Sequence, residues 1–493
     1  MPIPRKVLNL LEDLIGSENV YTDEAILYAY SWDSGSLPLF SLLSDKFRFM
    51  PDVVVKAKCI EDVVNTLKIA NQEKIPVTPR GAGTSLSGNC IPVKGGILLD
   101  LTSMNKIKEV NSDDRIAIVE PGVVHRNLEE ELHEHGMFFP PEPGSADMCT
   151  IGGMIANNAS GVRACKYGTT RDWVLSLKVA LPNGEIIDTG TRALKDASGY
   201  NLTQLFIGSE GTLGVIVEAT LKLFPLPEHK ALIIAGYSSL DEAIKAAQLV
   251  LRKLTPSSLE LVTEKYVETM NKVLKRLKYP QCKAVIMIEV DGSKHEVEGQ
   301  VDIVTRECKA VNPEALEVYW DEKDREELWH ARHYAGFIIL RMFDKAEIKI
   351  KAVHIHDVGL PLSKILDYLK FAEEEASKLG ISVLPFGHLG DGNLHVNWYV
   401  DPQKEIDIQA AIKLTKKLAQ KAVELGGTVS AEHGVGALRA PYMKLQHAPL
   451  IDYMRKIKAI FDPNNIMNPG KLWPEGDEKD FLEKLLEAYH QNV

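Results

Sequence analysis

Three glycine-rich segments fall between residues 77 and 225 of this chain: VTPRGAGTSLSG (77–88), PPEPGSADMCTIGGMIANNASGVRACKYGTTRDWV (140–174) and FIGSEGTLGVIVEATLKLFP (206–225). They constrain the fold more than any other feature. Glycine admits backbone conformations and close approaches that a Cβ forbids, and a run of small residues turns successive N–H groups outward as an anion-binding nest. The Rossmann fingerprint G-x-G-x-x-G is not met, because counting from Gly81 brings Leu86 to the third glycine position. One such loop alone reads equally well as a surface turn. Three in one region point to a long, extended ligand threading between them.

The intervening sequence is α+β. VVVKA and GILLDL have the apolar content of strands, EDVVNTLKIANQE and HRNLEEELHEHG carry helical spacing, and VLSLKVALPNGEIIDTG predicts a hairpin turning at Asn183-Gly184. FPLPEHK, with two prolines, marks a boundary near residue 225, beyond which strands such as KAVIMIEVDG alternate with helical stretches. The expected organisation is a first domain over 1–225, a second α+β domain with an antiparallel sheet over 226–455, and a C-terminal helical segment over 456–493 returning to the first domain.

With 493 residues and a net charge of −11, the chain is long enough for several cores and lacks the basic surface that phosphate backbones require, which excludes a nucleic-acid partner. Glu12 and Asp13 interrupt what would be the apolar part of a signal peptide, and no apolar run is long enough to span a bilayer. A cytoplasmic protein is expected, or one peripheral to a membrane through a partner. The cysteines at 59, 90, 149, 165, 282 and 308 form no C-x-x-C pair, so no zinc ribbon or sequential iron–sulfur motif is present.

Chemistry-bearing residues concentrate in the second half. In GHLGDGNLHVN (387–397) a two-residue hairpin turn at Asp391-Gly392 would set His388 directly opposite His395, with Asn397 on the same face. Taken alone, such a pair is more often a surface feature, and a third ligand decides the matter. SAEHGVG (430–436) offers one. His388, His395 and Glu432 together would hold a metal with a coordination position left for substrate, and His433 would be the base.

These motifs, in this order, resemble the vanillyl-alcohol-oxidase or p-cresol methylhydroxylase type of flavoprotein, and within it the FAD-dependent D-2-hydroxyacid dehydrogenases. PRGAGTSLSG, PGSADMCTIGGMIANNASG and GSEGTLGVI carry the flavin half of the resemblance; GHLGDGNLHVN, SAEHGVG, ELWHARHYAG and FDPNNIMNPGK carry the rest. The resemblance implies a two-subdomain FAD-binding domain. Its cofactor residues would be Pro79, Arg80, Gly81, Ala82, Gly83, Thr84 and Ser85 at the pyrophosphate. Pro143, Gly144, Ser145, Gly152, Gly153, Asn157, Ser160 and Gly161 would surround the cofactor, with Glu210, Gly214 and Ile216 near its AMP half and Asn468 returning to the flavin. No histidine lies within 77–88 or 140–174, so a non-covalent flavin is expected.

The resemblance further assigns His388, His395 and Glu432 to a divalent metal, zinc or else manganese or iron. Asn397 goes to the substrate region, Arg332 to the substrate carboxylate and His433 to proton abstraction. Hydroxyglutarate enzymes of this branch hold a second carboxylate through a hydroxyl residue and a lysine, where Gly336 and Ile355 stand here, so D-lactate or glycolate is favoured. The expected partners are that small 2-hydroxy acid and an external electron acceptor: an electron-transfer protein, a quinone or a cytochrome. The expected assembly is a homodimer or a complex with an iron–sulfur subunit. The alternatives are a D-2-hydroxyglutarate dehydrogenase, a flavin subunit without substrate chemistry of its own, and a transferase of the alkyl-dihydroxyacetonephosphate type.

Overall fold

A computed structural model of the protein describes residues 3–35, 49–342, 352–400, 404–474 and 483–484, with the side chains of 335–342, 352–355 and 399–400 excepted. The chain divides into two compact units. The first comprises Met1–Ala159, Thr169–Leu226 and Glu432–Val493; the second comprises Ser160–Gly168 and Pro227–Ala431. Thus residues 432–455, read in sequence as part of the second domain, group with the first unit, and Ser160 and Gly161 group with the second.

The first unit contains two main sheets. In one, the strands run in the order Val20–Tyr21, Val53–Lys56, Ile97–Asp100, Val77–Arg80, and the last three are mutually parallel. The helix Ile60–Glu73 connects Val53–Lys56 to Val77–Arg80, which flank Ile97–Asp100, and buries Val63, Leu67 and Ala70 in the core of this sheet. The other sheet is antiparallel, in the order Ile107–Asn111, Ile116–Val119, Val215–Lys222, Val174–Ala180, Ile186–Asp188. Its last two strands form the hairpin expected around Asn183-Gly184, where Gly184 takes a φ of 82°.

The C-terminal stretch is built into this unit. Ile466 and Met467 enter the core of the parallel sheet, and Val77 forms a parallel bridge with Met467. A buried ion pair ties down the segment. Lys458 Nζ reaches Asp462 Oδ2 at 2.6 Å and donates to the carbonyls of Thr212 (2.8 Å) and Met467 (2.9 Å). Asp462 in turn accepts from the backbone N–H groups of Ile466 and Met467.

The second unit is organised on a seven-stranded antiparallel sheet in the order Ala315–Tyr319, His229–Tyr237, Ala284–Gly292, Ser258–Thr263, Leu384–His388, Asn393–Val400, Ala352–Gly359. The helices Glu264–Val273 and Glu322–Met342 cover one face, where Val262, Met287 and Leu384 pack against Tyr266, Met270, Leu328 and Ala331. Two bonds seat the longer helix. Tyr279 Oη donates to the Leu328 carbonyl at 2.7 Å, and Trp329 Nε1 donates to Glu289 at 2.7 Å.

The connection between Leu384–His388 and Asn393–Val400 differs from the expected two-residue turn. His388 pairs with Asn393, and His395 pairs with Phe386. Leu389 and Gly390 belong to the turn because Gly390 donates its N–H to the Leu259 carbonyl, while Asp391 Oδ1 caps the N–H of Asn393. His388 and His395 are therefore diagonal neighbours on one face rather than opposite one another, a spacing still within reach of two imidazoles.

Substituting Lys458 by Met leaves Asp462 charged, buried and short of its partner. It should lower the stability of the first unit by about 3–5 kcal/mol, read from the urea unfolding transition. An unchanged midpoint would show that the pair does not hold the C-terminal segment.

Candidate active site

Alternation along the strands gathers the chemistry of the second unit on its helix-covered face. Glu260 and Val262 share that face of Ser258–Thr263, and across the sheet Glu260 lies directly opposite His388. Next along come Phe386, His395 and Asp357, paired in sequence across three strands, and Asn397 opposite Leu384. All of the polar members are buried.

The centre of this arrangement is a carboxylate that sequence analysis missed. Glu260 is fully buried, and its two oxygens are divided between two partners: Oε1 meets His388 Nδ1 at 2.7 Å and Oε2 accepts from Arg332 Nη2 at 2.5 Å. Burial would raise its pKa, but the charges of His388 and Arg332 outweigh burial and hold the carboxyl below its ordinary range. An ionised carboxylate can only accept, so Nδ1 of His388 donates, and it is in the neutral form of the ring that the lone pair sits on Nε2. Arg332 lies one turn beyond Trp329 on the same side of its helix, with its guanidinium 4.8 Å from the Phe386 ring centroid. Its Nε is buried with no hydrogen-bond acceptor among the described residues.

A second buried carboxylate stands behind His395. Asp357 Oδ1 lies 3.6 Å from His395 Nδ1 and accepts from Asn393 Nδ2, while Oδ2 accepts from Ser430 Oγ at 3.1 Å and the Ala431 N–H at 2.9 Å. The imidazoles of His388 and His395 stand edge to face, 5.4 Å between centroids. Asn397 donates through Nδ2 to Tyr266 Oη at 3.1 Å, and its Oδ1 is buried without a donor among the described residues. Gly336 and Ile355, on which the expected substrate length turned, lie outside the residues whose side chains are described.

In the first unit the glycine-rich segments converge. A Cβ on Gly81 would fall 2.2 Å from Thr150 Oγ1, so the loop Pro79–Ser85 runs against the segment that carries Gly152 and Gly153. Gly83 has a φ of 74°, and a Cβ there would strike the Arg80 guanidinium. Gly152 lies against Pro121, the turn at Pro143–Ser145 is closed by the Ala146 N–H on the Pro143 carbonyl, and Gly214 and Ile216 lie along the strand Val174–Ala180. Thr150 Oγ1, Asn89 Oδ1 and Asn468 Oδ1 are buried with no partner among the described residues. Unsatisfied buried oxygens beside glycine backbone fit a polar, extended cofactor. Ala82 and Thr84 complete the loop, within which Ser85 Oγ donates to Asp33 at 2.9 Å.

Glu210 is tied to the loop that follows His433. Its carboxylate accepts from the N–H groups of Val435 (2.7 Å) and Gly436 (2.8 Å), while Asn157 Nδ2 donates to the Glu432 carbonyl at 2.8 Å. Asn468 Nδ2 donates to the carbonyls of Asn89 and Glu210. Together they fix the loop that presents Glu432 and His433, whose carboxylate oxygen and ring Nε2 lie 3.5 Å apart. Lys471, also missed, is buried with Nζ on the Ile91 carbonyl at 2.6 Å, and burial lowers its pKa to about 8.

Comparison with known proteins follows this geometry. Residues 226–472 match the family described as FAD linked oxidases, C-terminal domain, and residues 51–190 match the FAD binding domain. The glycolate oxidase subunit GlcD of Bacillus subtilis is 35% identical over 97% of this chain and 98% of its own length. A D-lactate dehydrogenase of Archaeoglobus fulgidus is 37% identical over 85% of this chain and 91% of its own. The structure of p-cresol methylhydroxylase with substrate bound superposes with a TM-score of 0.75 at 18% identity, covering 96% of this chain and 97% of that one, which establishes the α+β fold expected from the sequence. No helix among the described residues is long and apolar enough to cross a membrane. On this evidence the chain belongs to the FAD-linked oxidases and has the p-cresol methylhydroxylase type of fold.

Proposed function

We propose that the protein oxidises a small 2-hydroxy acid, D-lactate or glycolate, to the 2-oxo acid, with non-covalent FAD and a divalent metal held by His388, His395 and Glu432. The observation that carries this reading is the pair of buried imidazoles on one sheet face, one with Glu260 hydrogen-bonded to Nδ1 of His388 at 2.7 Å and the other with Asp357 3.6 Å from Nδ1 of His395. A carboxylate hydrogen-bonded as Glu260 is to His388 is what metal-binding histidines use to fix their tautomer. Glu432 follows in the chain directly after Ala431, whose N–H Asp357 holds. The names of the relatives, glycolate oxidase subunit and D-lactate dehydrogenase, support the substrate class.

When bound, FAD supplies the hydride acceptor and the metal, zinc or else manganese or iron, supplies a Lewis acid for the substrate hydroxyl. The chain does the rest. Arg332 takes the substrate carboxylate, a role supported by its buried Nε lacking an acceptor, and so selects which face of C2 is presented. Asn397 offers its unsatisfied Oδ1 to the same region. His433 accepts the hydroxyl proton at a ring nitrogen as C2 loses its hydrogen. Glu432 and His433 are held in register by backbone contacts to Asn157 and Glu210, which keeps the ligand and the base from exchanging roles. An external acceptor, an electron-transfer protein, a quinone or a cytochrome, completes the cycle.

Anaerobic mixing with D-lactate or glycolate should bleach the flavin absorbance, and prior treatment with a chelator should abolish the bleaching; a flavin that neither acid reduces would return the protein to an accessory role. Glu432→Ala should lose metal and turnover while FAD stays bound, measured by metal content and the flavin spectrum of the purified protein. His433→Ala should keep both groups but slow flavin reduction by about two to four orders of magnitude in stopped flow. Reduction at the wild-type rate would remove His433 from the mechanism.

A further inference from the structure

Resting on the metal-site reading above, we propose that Glu260 is a positioning residue that couples the two halves of the site, fixing His388 for the metal through Oε1 and Arg332 for the substrate carboxylate through Oε2. Its place in the fold makes this a single device rather than two incidental contacts. Glu260 occupies an interior strand with neighbours on both sides, is fully buried and lies in direct register with His388. Arg332 descends on it from the covering helix, itself seated by Trp329 and Tyr279. A lone carboxylate so deep in a sheet would cost several kcal/mol to desolvate; here one charge serves a guanidinium and an imidazole donor at once.

The chemistry of the two oxygens gives the inference its test. Both partners present N–H groups, so the residue between them must accept twice. A glutamine has the same shape but one acceptor oxygen, and its NH2 must then face an N–H of either His388 or Arg332. Glu260→Gln should therefore release one partner and weaken the hold on the metal, with no change in the volume of the core. Loss of a carboxylate behind a metal-bound histidine lowers metal affinity by about 10- to 100-fold.

The experiment is a titration of the flavin-loaded, chelator-stripped protein with Zn2+ in competition with a chromophoric chelator, on wild type, His388→Ala and Glu260→Gln. The flavin spectrum serves as the folding control, and the KM for D-lactate is a second readout. Zn2+ binding weakened about 10- to 100-fold in Glu260→Gln, with a raised KM and an unaltered flavin spectrum, is the expected result. Wild-type Zn2+ affinity in Glu260→Gln overturns the role of Glu260 while leaving the metal site intact. If wild type binds no Zn2+, or His388→Ala binds it equally well, the metal reading falls and this inference with it. Should Glu260→Gln not fold, Arg332→Met is compared with the double variant Glu260→Gln/Arg332→Met, in which no buried guanidinium lacks its partner. The double variant should bind Zn2+ more weakly than Arg332→Met by the same factor, and equal affinities overturn the proposal.

Discussion

A negative charge placed where water cannot reach it governs the second unit. Glu260 can remain ionised inside a sheet only because Arg332 and His388 meet it at hydrogen-bonding distance, and each of those residues depends on further structure. Arg332 requires a helix laid across the sheet at a fixed height, and Tyr279 and Glu289 both hold the same turn of that helix. His388 requires the sheet register that brings it opposite Glu260. Removing the carboxylate would leave a buried guanidinium uncompensated, so the polar centre and the packing of the helix stand or fall together.

The same device recurs on either side of Glu432 and His433. Asp357 holds the Ala431 N–H within the second unit, and Glu210 holds the N–H groups of Val435 and Gly436 within the first. The five peptide links from 431 to 436 are thus restrained at both ends by buried carboxylates. Glycine is obligatory at 434 and 436: both have positive φ, and a Cβ would lie 2.2 Å from Asn157 Oδ1 at one and 2.1 Å from the Ser87 carbonyl oxygen at the other. A short loop restrained at both ends holds the side chains it carries, Glu432 and His433, in fixed directions.

Much of this was legible before any coordinates. The α+β class, the hairpin at Asn183-Gly184 and the sharing of one sheet face by His388 and His395 follow from strand alternation, turn residues and motif order. What escaped did so for definite reasons. The register around Asp391 slipped by two because Gly390 is drawn off to the Leu259 carbonyl, a contact from a strand more than a hundred residues earlier that no local turn rule contains. Glu260 and Asp357 were passed over because each is a single acid within a strand, in SSLELVT and HIHDVG. An acid inside a buried strand is itself the signal, since only a partner of opposite charge or a good set of donors makes it tolerable. Lys471 carries the same signal beside NPG, and its role was hidden because its carbonyl partner comes from residue 91.

The bridge between Val77 and Met467 has a consequence for how the chain is made. The first unit is assembled from sequence separated by the whole of residues 227–431, and its parallel sheet lacks Ile466 and Met467 until the ribosome has passed them. During synthesis the second unit emerges entire while the first still waits for its last core residues. The antiparallel sheet with Glu260 inside it can then form first, while the parallel sheet of the first unit is completed only once residues 466 and 467 have left the exit tunnel.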